Sequence, residues 1–276
     1  MKARRILVAL DGSRESRAAL AAAARLGIAT GAGLIGLFVE DVELLRLAGL
    51  PFAREAGLSS GVFRRLDISG IELRFRVAAE RAREALREVA ESSGLASSFR
   101  VVRGRVVPEL LAAALEADVV AAGKRSVPGP PGRRLGGTLR SLIARVPAPI
   151  LVGGLHGFFA GPVVVVSPAA AVPEEALRFV ALLAQAFGTP EVVVIARAGG
   201  VGPPHVAPGI RLRRRGVPSA SSGGLGMLPE IADASAVILV RPEGGVGPEL
   251  LVEIAEAVTC PVFIVGPLGL AELLSA

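Results

Sequence analysis

Cysteine, tryptophan, tyrosine and asparagine are nearly or wholly missing from this chain of 276 residues. Cys260 is the only cysteine, which excludes internal disulfides and any zinc site built on several thiolates. Tryptophan and tyrosine are absent and the ten phenylalanines are scattered, so few side chains could stack on nucleic-acid bases. Asparagine is absent and glutamine occurs once, and this scarcity of thermolabile amides is typical of proteins from thermophiles.

Long hydrophobic runs are also missing. No apolar run reaches the roughly 18 residues of a membrane-spanning helix, and the run near the start covers only Ile6 to Leu10, too short for a secretory signal. We therefore expect a cytoplasmic protein with no membrane partner. The net charge is +6, and almost all the cations are arginine. Binding to nucleic acid or to an acidic partner is one interpretation of this positive charge. Clusters of like charge are usually solvated, so we do not expect nucleic-acid binding.

Apolar residues are abundant, at 51% against 20% charged residues, and the length suffices for two cores. Short apolar runs alternate with helical patterns five times, and the alternation then restarts. This predicts an α/β protein with two tandem, doubly wound parallel-sheet domains. We place the first domain at 1–153, a linker at 154–160 and a second, degenerate copy at 161–276.

The expected elements follow from apolar runs, glycines and caps. Strands of the first copy are predicted at Arg5–Leu10, Gly33–Val39, Phe99–Val102, Asp118–Ala122 and Ala148–Val152. Its helices are predicted at Arg14–Leu26, closed by Gly27, and at Leu73–Ser92, Val107–Ala117 and Thr138–Val146, with a loop over Gly57–Gly70. Strands of the second copy are predicted at Val163–Val166, Glu191–Ala196, Ile210–Arg214, Ala236–Val240 and Val262–Val265.

Two features of the first copy fall at the carboxyl ends of strands, where open α/β sheets bind ligands. Asp11 follows the first strand, and a glycine- and proline-rich loop from Gly123 to Thr138 follows the fourth. A carboxylate can accept from sugar hydroxyls, and a helix start preceded by glycines favours phosphate. The sequence thus predicts a nucleotide with its sugar at Asp11 and its phosphates at Gly136, Gly137 and Thr138. The alternative for Asp11 is an N-cap of the next helix.

The first copy resembles the universal stress protein family. The resemblance rests on Asp11-Gly12-Ser13 after the opening strand, on Leu37-Phe38-Val39-Glu40-Asp41, and on the closing Pro147-Ala148-Pro149-Ile150-Leu151-Val152. ATP-binding members carry G-x-x-G-x9-G-[S/T] after the fourth strand. Here Gly123 is the first glycine, Ser126 replaces the second, and Gly137-Thr138 forms the last pair after ten residues. The implied fold is universal stress protein-like, which is also adenine-nucleotide α-hydrolase-like.

The resemblance implies ATP or a related adenine nucleotide, with or without Mg. Adenine would lie near Ala9 and Val39, and the ribose near Asp11. The implied phosphate residues are Gly123, Lys124, Ser126, Gly136, Gly137 and Thr138. Ser126 adds a side chain to this loop, and three prolines remove N–H donors from it. Compensating charge would come from Lys124, Arg125, Arg133 and Arg134.

The second copy lacks these parts. Its first strand ends in Ser167-Pro168 without an acid, and its loop after the fourth strand, 241–247, is about half as long. We therefore expect it to serve as an intramolecular pseudo-dimer partner, paired through the last strands Ile150–Val152 and Val262–Val265, where pairing would cover two sheet edges. A homodimer is left open.

No base, nucleophile or metal cluster is evident, so any catalysis would be slow ATP hydrolysis. The expected function is a stress-response module that binds an adenine nucleotide. One alternative is a scaffold or interaction module that binds no nucleotide. Another is an adenylate-transferring enzyme, but such enzymes usually have a Ser-Gly-Gly type of loop after the first strand, where this chain has Asp11-Gly12-Ser13-Arg14.

Overall fold

The computed structural model describes residues 4–56, 63–125, 135–154, 161–167, 172–186, 188–189, 191–197, 210–217, 229–241 and 248–266. The first half contains β1 (Arg5–Ala9), α1 (Arg14–Thr30), β2 (Gly33–Asp41), α2 (Val42–Ala48), β3 (Arg54–Ala56), β4 (Phe63–Arg65), α3 (Ile68–Ser93), β5 (Ser97–Gly104), α4 (Val106–Ala114), β6 (Val119–Ala122), α5 (Gly137–Arg145) and β7 (Ile150–Val152). The second half contains β8 (Val163–Ser167), α6 (Glu174–Ala186), β9 (Glu191–Arg197), β10 (Arg211–Val217), α7 (Pro229–Ala232), β11 (Ala236–Val240), α8 (Pro248–Ala257) and β12 (Val262–Val265).

Ten of the described strands form one sheet in the order β10-β9-β8-β11-β12-β7-β6-β1-β2-β5. Every neighbouring pair is parallel except β7 and β12 at the centre. Counted within each half, both halves have the same strand order, 3-2-1-4-5. The predicted doubly wound, parallel α/β architecture is thereby confirmed, whereas the domain limits at 153 and 161 stay a prediction.

The two halves meet through their last strands. Ile150 of β7 pairs with Ile264 of β12, and Leu151 pairs with Phe263, in an antiparallel ladder. All four side chains are buried. The sheet therefore runs from one half into the other without an exposed edge between them.

Helices cover both faces of the sheet. On one face α1, α3 and α6 share an apolar cluster, and on the other α4, α5 and α8 share a second. Successive strand residues alternate between the two clusters, as Ile6 and Leu7 do. Because both faces are buried, β8 and β11 are continuous apolar strands, and this made them visible in the sequence. Within the described ranges, no helix is both long and apolar enough to cross a membrane.

Helix α1 is longer than predicted. It ends at Gly31, whose φ of 68° is left-handed and whose N–H donates to the carbonyl of Gly27. Gly27 lies inside the helix, and a Cβ there would come within 2.8 Å of Leu95 Cδ1. The prediction that Gly27 ends the helix was wrong, because this glycine serves packing rather than termination.

Part of the stretch predicted as a loop over 57–70 forms regular secondary structure. Residues 57–62 lie outside the described part, but β4 pairs with β3, and α3 begins at Ile68. Asp67 is the N-cap of α3, and its Oδ2 accepts from the N–H of Gly70 at 2.9 Å. The loop prediction was wrong for 63–65, which form β4, and for 68–70, where Ser69 and Gly70 belong to the capped first turn of α3.

Candidate functional site

A cavity of about 240 Å³ lies at the carboxyl ends of β1 and β6. These strands are neighbours, and the helices that follow them, α1 and α5, lie on opposite faces of the sheet. The crevice is thus the switch point of the first half. Seven of the nine predicted site residues line it: Ala9, Asp11, Val39, Gly123, Lys124, Gly136 and Thr138. Gly137 lies between two of these lining residues, and Ser126 lies outside the described residues.

Asp11 is exposed at the rim of this cavity. Its Oδ1 accepts a hydrogen bond from the N–H of Ser13 at 2.9 Å. The N-cap of α1 is Ser13, whose Oγ accepts from the N–H of Ser16 at 3.0 Å. The alternative role of Asp11 as N-cap is therefore wrong, and its carboxylate is held in a short turn beside the crevice.

The N-terminus of α5 opens onto the same cavity. Its N-cap is Gly136, which has no side chain to accept from the first amides of the helix. The N–H groups of Gly137, Thr138 and Leu139 have no acceptor within the helix. With the positive end of the helix dipole, they form a suitable environment for an anion. A Cβ on Gly137 would meet no atom within 4 Å, so the approach is open.

Gly123 is a glycine for a different reason than expected. A Cβ there would lie 2.8 Å from the backbone carbon of Glu15 and 2.9 Å from the nitrogen of Ser16. The chain after β6 thus packs against the first turn of α1. We conclude that close packing at the base of the crevice requires this glycine, whether or not a phosphate lies nearby.

Lys124 differs from its expected place. Its Nζ is not directed at the start of α5 but donates to the carbonyl oxygens of Ala255, at 2.8 Å, and Val258 at the end of α8. The side chain is 5% exposed. Burial lowers the pKa of Lys124 to about 8, against the raising effects of Cys260 and Glu256. Its ammonium is therefore not available as the compensating phosphate charge. Arg125 lines the cavity, while Arg133, Arg134 and the three loop prolines lie outside the described residues.

Apolar side chains from β2 and α4 also line the cavity, and sequence reasoning identified only some of them. Leu37, Val106 and Leu110 line it together with Ala9 and Val39. Val106 and Leu110 are four residues apart on α4. This spacing indicates one buried helix face but does not predict a cavity.

Asp41 also lines the cavity and was missed as a site residue. It ends β2 and is the N-cap of α2, where its Oδ1 accepts from the N–H of Glu43 at 2.9 Å. An acid directly after a strand was the available sequence signal.

Comparisons with known proteins identify the family. The model of the universal stress protein family matches residues 2–153, which is more than half of the chain. This chain belongs to the universal stress protein family. Among curated proteins, no sequence matches it.

Solved structures resemble the fold of this chain over nearly its whole length. A universal stress protein from Archaeoglobus fulgidus DSM 4304 is 14% identical, with a TM-score of 0.64, and the match covers 96% of this chain and 99% of that one. A functionally unknown protein from Pseudomonas aeruginosa PAO1 is 13% identical, with a TM-score of 0.59, and the match covers 99% and 96%. A universal stress protein in complex with cAMP is 22% identical, with a TM-score of 0.39, over 55% of this chain and 98% of that one.

In this universal stress protein each half donates hydrogen bonds from a cationic side chain to the other half. Lys124 follows β6 and donates to Val258 of the second half. Arg241 follows β11, and its Nη1 donates to the carbonyl oxygen of Val146 in the first half at 2.8 Å. In strand register, Lys124 and Arg241 hold the same place in the two halves, as do Val146 and Val258. A cation from each half thus binds the last turn of a helix in the other, where the helix dipole favours it.

Proposed function

We propose that the first half of this universal stress protein binds ATP or a related adenine nucleotide in the crevice between β1 and β6. One observation carries the proposal: the same cavity brings together the carboxylate of Asp11 and the amides at the start of α5, which have no acceptor within the helix and no side-chain cap among the described residues. Under this proposal the protein is a nucleotide-responsive module of the stress response.

The lining of the crevice suits the different parts of a nucleotide. Phosphates would accept from the amides of Gly137 and Thr138, and the ribose hydroxyls would donate to Asp11. The base would lie against the apolar side chains, beside Val39 and Val106. The volume of about 240 Å³ lies just below the range of small-molecule sites, which begins at about 300 Å³, and so favours a mononucleotide over a dinucleotide.

The second half supports the first as an intramolecular partner in this proposal. The support is the antiparallel pairing of β7 with β12 and the equal strand order of the halves. The domain limits at 1–153 and 161–276, and the linker at 154–160, belong to the same proposal. A homodimer stays a prediction, as does hydrolysis of the nucleotide.

Replacing Asp11 tests the sugar contact. In Asp11→Ala we expect about tenfold weaker ATP binding, because a charge-assisted hydrogen bond to a ribose hydroxyl is lost. Asp11→Asn can keep the turn to Ser13 and should separate the loss of charge from the loss of the turn. Isothermal titration calorimetry, on protein stripped of co-purified nucleotide, measures the affinity of each variant for ATP. Glu88→Ala, an exposed acid on α3, is the control. Absence of binding to wild type at millimolar ATP would refute the proposal.

Replacing Gly137 separates binding from stability. A Cβ at this position would meet no atom within 4 Å, so we expect the Tm of Gly137→Val to stay within about 2 °C of wild type. The same side chain would enter the space where the phosphates lie, and ATP binding should fall at least about tenfold. Thermal unfolding and calorimetry on one preparation measure both effects. Unchanged affinity would place the phosphates elsewhere.

A further inference from the structure

The last turn of α8, in the second half, contacts the first half on both sides of residues 126–134. These residues lie outside the described part, so we use the term nucleotide loop only for the two described ends that flank them, Lys124 with Arg125 and Leu135 with Gly136. At one end, the Nζ of Lys124 donates to the carbonyl oxygens of Ala255 and Val258. At the other end, Oε1 of Glu256 accepts from the N–H of Leu135 at 2.8 Å.

The two ends of the loop are also joined to each other at the start of α5. The N–H of Gly136 donates to the carbonyl oxygen of Lys124 at 2.8 Å. Glu256 additionally forms an ion pair with Arg140, one turn into α5. The position at which α5 begins, and with it the direction of its first amides, is therefore held by side chains and carbonyls of α8.

The contacts of Glu256 have no counterpart in the other half, unlike the hydrogen bonds of Lys124 and Arg241. In strand register, the place of Glu256 in the first half is taken by Ala144, and that of Arg140 in the second half by Val252. The carboxylate therefore reaches only one of the two loops, and that loop lies at the candidate nucleotide site. Symmetric packing of two halves does not by itself require such a difference.

We propose that the last turn of α8 is a clamp on the start of α5, so that ATP binding in the first half and docking of the second half strengthen each other. The inference rests on the proposed function, since it concerns the regulation of that same site. By holding the N–H of Leu135, Glu256 fixes the start of α5 before phosphates arrive, and this lowers the ordering cost of binding. Linkage requires the reverse effect too: bound ATP must stabilise the docked position of α8.

A pair of variants at one position tests the clamp in the full chain. Both Glu256→Ala and Glu256→Gln remove a negative charge near the phosphates, but only glutamine keeps an oxygen that can accept from Leu135. We expect ATP to bind about five- to tenfold more weakly to the alanine variant than to the glutamine variant. Adenosine, which has no phosphates, should bind the two variants about equally. Glu253→Ala removes an exposed acid from the same helix and should bind ATP as wild type does.

Amide hydrogen exchange tests the reverse effect. ATP should slow exchange in residues 248–258 of wild type and of Glu256→Gln, and this protection should be lost in Glu256→Ala. The clamp is overturned if wild type binds ATP but the alanine and glutamine variants have equal affinity. It is also overturned if ATP leaves exchange in α8 of wild type unchanged. Failure of wild type to bind ATP is a separate result, which removes the proposed function itself.

Discussion

Replacing Phe263 by alanine is expected to lower the free energy of unfolding by about 3 to 5 kcal/mol. Phe263 lies in β12, is 1% exposed and pairs across the junction of the halves with Leu151 of β7. Its ring packs edge-on against Phe179 of α6, with the ring centroids 5.6 Å apart. Because the strand ladder holds the backbone on both sides, the cavity left by the ring can collapse only in part.

Urea denaturation measures this effect, and Phe52→Ala is the matched control. Phe52 is 75% exposed, so its truncation should change the free energy of unfolding by no more than about 0.5 kcal/mol. The urea dependence should keep its slope in both variants, since neither changes the surface that unfolding exposes by much. Similar losses for Phe263 and Phe52 would contradict the central position of the β7–β12 junction.

The parts of the fold that could be predicted are those determined by local sequence. β11 and β12 have the predicted bounds because a strand buried on both faces is a short apolar run with clear ends. The start of α1 at Arg14 was also predicted, since Ser13 caps it locally. The end of α1 was not, because Gly27 is required by its close contacts with the carbonyl oxygen of Ala32 and with Leu95, which a sequence pattern does not reveal.

The same distinction applies to the candidate site. Strand ends and helix starts of a parallel sheet meet at one edge, so Asp11 and Thr138 could be placed in one crevice from their positions alone. Lys124 could not be placed, because its acceptors are more than 130 residues away in the second half. A signal was present nonetheless: Lys124 and Arg241 are both cations within two residues of the ends of the predicted fourth strands.

Lys124 should make the stability of the protein depend on pH. Burial lowers the pKa of this lysine to about 8 in the folded state, from 10.5 for an unperturbed side chain. Between these pH values the unfolded chain binds a proton that the folded protein has released, so raising the pH favours folding. Relative to that of Lys124→Met, the free energy of unfolding of wild type should rise by about 3 kcal/mol between pH 7 and pH 10.5. Below about pH 8 the cost of burying the charge is fully present.

Cys260 has the opposite effect in part of this range. Burial raises the pKa of its thiol to about 11, from 9.0. Between those values the folded protein keeps a proton that the unfolded chain loses, so raising the pH disfavours folding. The two contributions overlap above pH 9, and the stability of wild type alone should therefore change little there. In a Cys260→Ala background the rise due to Lys124 should continue above pH 9.

Urea denaturation at pH 7, 8, 9 and 10 separates these contributions when wild type, Lys124→Met, Cys260→Ala and the double variant are compared. Methionine fills most of the lysine's volume and loses the hydrogen bonds to α8, which adds an offset that does not vary with pH. The effect of the buried ammonium is the rise with pH in the difference between the two free energies of unfolding, not the constant offset. A difference between wild type and Lys124→Met that is constant from pH 7 to pH 10 would show that the ammonium lies in water, and the docking of α8 on the nucleotide loop would then lose its first contact.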